Sequence, residues 1–185
     1  MRKNMSLNWL KAVGVLAVVG ILAGVFIIPA YASVDAGYYE SANQVINDGG
    51  VERFFKGALV RTFRYQIGMT EFIGHSLINA GSSVVKAGAR IKELINEGKD
   101  AVILQDAVAE FEKLIEEADD AYKAAQNFVD LLRGFDEKGD VINLVDARET
   151  IKAIEPHLKT ARENIYEAVR IVYEAIQEFR LISDD

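Results

Sequence analysis

The chain has 185 residues, of which half are apolar, and its 21 basic and 28 acidic side chains give a net charge of −7. The length suits one folded domain with its own core, and the apolar content argues against disorder. Because there is no cysteine, disulfide scaffolds, thiol nucleophiles and cysteine-ligated metal centres are excluded. Two histidines leave little room for a histidine-based metal site or a catalytic triad.

Residues 1–32 have the pattern of an export signal. Arg2, Lys3 and Lys11 precede a segment from Ala12 to Ile28 that has no polar side chain, and Ala30-Tyr31-Ala32 follows Pro29. A positive start, an apolar middle and small residues at a cleavage site are typical of a secretory signal peptide. We therefore expect cleavage after Ala32.

A retained membrane anchor is the alternative for the same segment. As a helix, residues 12–28 would be about 26 Å long, slightly short of a hydrocarbon layer of about 30 Å. The basic N-terminal end stays in the cytoplasm under either interpretation. We therefore expect residues 33–185 to be extracytoplasmic, either secreted or held at the cell surface.

The rest of the chain has the seven-residue periodicity of packed helices. Apolar and small residues recur at alternating steps of four and three from Leu104 to Leu132 and from Leu144 to Ile182, and less regularly from Val60 to Ile95. This spacing is typical of helices packed along a narrow seam and not of strands. It predicts an all-α, elongated, antiparallel three- or four-helix bundle over residues 33–185, with helices at about 35–47, 51–97, 100–133 and 140–182.

Capping residues support these boundaries. Gly98 and Gly134 are placed to end helices in the left-handed conformation, and Asp100 and Asp140 to cap the helices that follow. Pro156 should bend the last helix. Since the heptad pattern keeps its phase across Pro156, we expect one kinked helix and not two.

Three glycines recur every seven residues in the segment 51–97, at Gly74, Gly81 and Gly88. A glycine inside a helix costs about 1 kcal/mol relative to alanine, which suggests that another helix of the chain packs closely on this row. Gly81→Leu should then lower the melting temperature by several degrees. The alternative is a loosely packed helix that tolerates glycine.

Charge is unevenly distributed along the chain. Residues 51–92 have a net charge of +5, and residues 93–185 a net charge of −12. In an up-down-up arrangement, the N-terminal end of helix 51–97 would extend about 20 Å beyond its neighbour. This end carries the candidate interaction residues Arg53, Phe54, Phe55, Lys56, Arg61, Phe63, Arg64 and Tyr65. The helix at 35–47, a partner subunit or a membrane could cover it.

No catalytic motif is present, and we expect no enzymatic activity, metal or cofactor. His75 and His157 could at most clamp a non-covalent haem between helices. Nucleic acid is an unsuitable partner for an exported, acidic chain. The sequence favours a non-catalytic structural bundle that assembles with a protein partner or with itself. The alternatives are a membrane-anchored accessory subunit docking through its basic and aromatic residues, and a ligand- or haem-binding bundle.

Overall fold

The computed structural model describes residues 49–183, which form three α-helices. They are α1 (Gly49–Asn96), α2 (Val102–Asp130) and α3 (Leu144–Ser183). Within this range there is no strand, only an isolated antiparallel bridge between Phe135 and Val141. The all-helical prediction is confirmed for these residues, and each helix end lies within about four residues of its predicted position. The predicted export segment 1–32 and the helix at 35–47 lie outside the described residues.

The described residues form two compact units, and all three helices contribute to both. One unit contains residues 72–122 and 159–183, and the other contains residues 49–71 and 123–158. The sequence had suggested a single bundle domain over residues 33–185. No helix within residues 49–183 has both the length and the apolar character needed to cross a membrane.

In the unit of residues 72–122 and 159–183, three helix segments share one apolar core. The end of α1 packs against the start of α2 and the end of α3, since Leu94, Leu104 and Phe179 line a common cavity. Phe111 and Phe179 are fully buried there. In this unit α2 therefore runs antiparallel to both α1 and α3.

The predicted seam of α3 is confirmed over most of its length. Its members are buried from Ala147 to Phe179, and only Ile182, near the end of the helix, is exposed. The seam of α2 is confirmed in part. Leu104, Phe111 and Ala118 are buried, whereas the alternate positions are half-buried.

The predicted seam of α1 is confirmed at Phe63, Thr70 and Ile91, which are buried, but not at its three glycines. There the buried side chains are Ile73, Ala80 and Ala87, each directly before one of the glycines expected to be at the contact. Ser76 and Ser83 are also buried. Both hydroxyls donate to backbone carbonyl oxygens four residues earlier, at 2.9 Å to Phe72 and 3.0 Å to Asn79. Because the helix itself satisfies these polar groups, they can occupy the core.

The capping predictions have different outcomes. Gly98 and Gly134 have φ angles of +80° and +86°, as expected for residues that follow helices. Asp100 accepts a hydrogen bond from the backbone N–H of Val102 at 3.2 Å and is a cap of α2. The prediction for Asp140 is wrong because α3 begins four residues later, where Asn143 accepts from the N–H groups of Val145 and Asp146.

Pro156 lies inside α3, which continues from Leu144 to Ser183, so the prediction of one helix is confirmed. One turn before it, the side-chain amide of the buried Gln66 donates to the carbonyl oxygen of Ile151 at 3.0 Å. This bond joins α1 to α3 within the unit of residues 49–71 and 123–158.

Candidate interaction surfaces

The basic–aromatic segment, residues 53–65, occupies the N-terminal turns of α1. Arg53, Phe54, Arg61, Arg64 and Tyr65 are exposed, with 60% of Phe54 accessible to solvent. Phe55 and Lys56 are half-buried. Most of the predicted interaction residues therefore lie where another molecule could reach them.

Phe63 is the exception, because it is part of the core. Its side chain is completely buried, and its ring stacks on Phe135 with 3.9 Å between ring centroids and 8° between ring planes. Phe135 belongs to the connection between α2 and α3, so this connection covers the face of α1 that Phe63 occupies. Phe63 is therefore a packing residue, which corrects its prediction as a surface residue.

The bases of this segment differ in their partners. Lys56 pairs with Glu52 at 2.8 Å, and this hydrogen bond lowers the pKa of the Glu52 carboxyl. Arg64 donates to the Asp140 carboxylate at 3.3 Å and to the carbonyl oxygen of Lys138 at 3.4 Å. Arg53 and Arg61 form no ion pair with any other residue in the described part of the chain. Within the segment, these two guanidinium groups are therefore the exposed cations without an ion-pair partner among the described residues.

The glycine row of α1 has only one close neighbour among residues 49–183. A Cβ atom on Gly74 would lie 2.8 Å from the Tyr122 hydroxyl oxygen, so the end of that side chain packs on Gly74. At Gly81 and Gly88, no described atom lies within 4 Å of the corresponding position. The predicted helix contact is therefore wrong for Gly81 and Gly88 with respect to the described helices, since the buried row lies one residue earlier.

Sequence reasoning missed a second exposed row on α1. Ile78 and Val85, seven residues apart, are each 73% exposed. They share a face with Ser82 and Ala89, which are also exposed. The alternating steps of three and four along this row were visible in the sequence. The sequence analysis instead placed the helix contact at the neighbouring glycine row, which has larger apolar residues between its members.

The apolar cavity between the three helices is small. It is lined by ten residues, among them Ile91, Leu104 and Ile176, and its volume is about 20 Å³. Such a space holds about one water molecule and is far too small for a haem. The side chain of Arg90 borders the cavity, while one of its terminal nitrogens pairs with Glu93 at 2.7 Å.

The two histidines have different surroundings. His157 is half-buried, and its ring stacks on Phe128 with 5.8 Å between centroids. His75 is exposed on α1. The ring of His157 is thus packed against an aromatic side chain of α2, which gives the haem hypothesis no support at this residue.

Residues 49–183 contain no group of three or more histidine, aspartate or glutamate side chains arranged to hold a metal ion. The acidic side chains of α2 are instead distributed over its outer face, where Glu112, Glu116 and Asp120 are exposed. No protein-family model, curated protein or solved structure matches the chain.

Proposed function

We propose that the protein is an exported, non-catalytic helical bundle that assembles with a partner protein or with itself through its helix faces. The observation that carries this proposal is the periodic exposure of large apolar side chains. Ile78 and Val85 on α1 are seven residues apart, as are Tyr166 and Tyr173 on α3, and all four are more than half exposed. Single exposed apolar residues are common, but members of one helix face repeated at this spacing are typical of a contact surface.

The export part of the proposal rests on residues 1–32. Its test is a fusion of alkaline phosphatase after Asp185, since this enzyme becomes active only after export from the bacterial cytoplasm. We expect an active fusion, and loss of activity when residues 12–28 are deleted. An inactive fusion, with the protein present at normal abundance, would contradict export.

The interaction part is tested by photo-crosslinking in intact cells. A photoreactive amino acid is placed at Ile78 or at Tyr173, and for comparison at Lys113, an exposed residue on the charged face of α2. We expect discrete crosslinked species from the first two positions and not from Lys113. Crosslinking that is absent everywhere, or equal at the three positions, would overturn the proposal.

A membrane-anchored accessory subunit is the second candidate. It is supported by Arg53, Phe54 and Arg61, which are exposed in the first turns of α1. This end of α1 is the part of the described chain nearest in sequence to the apolar segment 12–28. The intact mass of the native protein distinguishes the two candidates. A chain that begins at Ser33 favours the secreted bundle, and a full-length chain recovered with membrane proteins favours the anchored subunit.

A further inference from the structure

The solvent-facing side of α1 carries an unbroken row of exposed residues at alternating steps of four and three. The row begins at Glu71, ends at Lys92 and contains His75, Ile78, Ser82, Val85 and Ala89, all of them exposed. The buried residues Ile73, Ala80 and Ala87 lie on the other side of the helix. The spacing of the row is that of a helix seam, yet no second helix among residues 49–183 covers it.

The residues at the middle of this row are small. Ser82 is flanked by Gly81, where no described atom lies within 4 Å of the position of a Cβ. A second helix could therefore approach the backbone of α1 closely at this point. Ile78 and Val85 lie on either side, at nearly equal distances from the point midway between Gly81 and Ser82.

We propose that the occupant of this face is α1 of a second copy of the same chain, packed antiparallel about a two-fold axis near Gly81 and Ser82. This inference rests on the proposed function and specifies its partner. In such an arrangement, a residue of one copy faces the residue of the other copy that lies equally far from the axis on its opposite side. Ile78 of one copy then packs on Val85 of the other, and Glu71 faces Lys92 of the other.

Charge complementarity determines both the partner and its direction. Glu71 and Lys92 are exposed, and neither forms an ion pair with another described residue. Glu71 is the only acidic residue of the row, and Lys92 is its only lysine or arginine, so the row is acidic at one end and basic at the other. An antiparallel copy brings the opposite charges together twice, whereas a parallel copy would place like charges side by side.

Disulfide trapping tests the position of the axis. The natural chain has no cysteine, so Ser82→Cys and Ala89→Cys each introduce a single thiol into the full-length protein. The thiols of two Ser82→Cys chains would meet near the axis, within the distance of about 4.4–6.8 Å between Cα atoms that a disulfide requires. Two residues at position 89 would lie about 22 Å apart along the paired helices.

We expect mild oxidation to convert the Ser82→Cys protein to a covalent dimer and to leave the Ala89→Cys protein monomeric on a non-reducing gel. Both substitutions lie on the exposed face, and circular dichroism checks that each variant is folded. Equal crosslinking at the two positions, or none at Ser82→Cys, would overturn the proposal.

Charge reversal tests the pairing of the ends without a crosslink. Glu71→Lys and Lys92→Glu should each raise the dimer dissociation constant by at least about fivefold, as measured by sedimentation equilibrium. The double variant Glu71→Lys/Lys92→Glu should restore the original value, because it recreates both opposite-charge contacts. A double variant as weak as the two single variants would contradict the antiparallel pairing.

These outcomes are separable from those of the proposed function. If the protein is a monomer in sedimentation while Ile78 crosslinks to a different protein in cells, the interaction function stands and the self-association fails. If neither experiment gives a contact, both fail.

Discussion

Gly134 lies where the connection between α2 and α3 meets the backbone of the first turn of α3. Its φ angle is +86°, and a Cβ atom built on it would lie 2.1 Å from the backbone nitrogen of Ala147. Its carbonyl oxygen accepts from the backbone N–H groups of Ile142 and Asn143, at 3.0 and 3.2 Å. Both the conformation and the lack of space therefore require glycine at this residue.

Gly134→Ala should lower the free energy of unfolding by more than about 2 kcal/mol, because strain at a left-handed residue adds to overlap with backbone atoms. The measurement is chemical denaturation of the full-length protein. Gly68→Ala is the matched control, since Gly68 is an exposed interior residue of α1 with no described atom within 4 Å of a Cβ. It should raise stability by about 0.5–1 kcal/mol, and a similar loss at both glycines would contradict this account.

Among the helices, α1 is joined to the α2–α3 connection through the stacked rings of Phe63 and Phe135. Phe63→Ala should lower the free energy of unfolding by about 3–5 kcal/mol, because it removes a large, completely buried side chain. Phe54→Ala, nine residues earlier in the same helix, removes a mostly exposed ring and should change stability by less than about 0.5 kcal/mol. Thermal and denaturant unfolding measure both. If the two phenylalanines proved equally important, Phe63 would not have the packing role assigned to it.

How much of each helix the sequence could predict depends on the polar residues in its core. In α3 the buried face from Ala147 to Phe179 is apolar except for Thr150, so the period locates it. In α1 the buried face includes Thr70, which the predicted seam contained, and Gln66, Ser76 and Ser83, which it did not. Because polar residues are normally assigned to the surface, the pattern pointed to the adjacent row of glycines. The hydroxyls of Thr70, Ser76 and Ser83 donate to carbonyl oxygens of α1 itself, and the Gln66 amide donates to α3. These bonds form only once the chain is folded.

The candidate surfaces were predictable to different degrees. The basic and aromatic residues near the start of α1 were recognisable by type, and Phe54 and Arg61 are exposed as expected. The seam period of α1 included Phe63 among its apolar positions, but the stacking of its ring on Phe135 was not predictable, because Phe135 is distant in sequence. The turn that holds Phe135 depends on Asp136, whose carboxylate accepts from the N–H groups of Lys138 and Asp140 at 2.9 and 2.8 Å. Asp140 is thereby part of a turn and does not cap α3.

Across the whole molecule, residues 51–92 are net basic and residues 93–185 net acidic, an arrangement that favours attraction between helices. The described ion pairs are mostly local. Arg170, for example, contacts Glu167 and Glu174 in its own helix, and Arg90 contacts Glu93 in its own helix. Arg64–Asp140 does join α1 to a different segment, but both side chains are more than half exposed. Apolar packing therefore contributes more to the fold than charge attraction.

The melting temperature should accordingly depend little on salt. Raising the ionic strength from about 0.05 M to about 0.5 M shortens the screening length severalfold, yet should shift the melting temperature by no more than about 2 °C, because exposed pairs contribute about 0–1 kcal/mol each. Differential scanning calorimetry in sodium chloride measures this. A steep decrease in melting temperature would indicate that attraction between the charged segments holds the helices together.

The contacts of α1 differ widely in the sequence separation between the two contacting residues. This separation affects the order in which contacts can form while the chain is being synthesised. Leu94 meets Leu104 across one short turn, whereas Arg64 and Gln66 bond to residues 76 and 85 positions later. Closing the longer loops costs about 2 kcal/mol more in chain entropy than closing the short turn. During synthesis, Phe63 emerges long before Phe135, the ring that covers it. Chains that stop short of Phe135 therefore expose this phenylalanine and become targets for aggregation and for quality control.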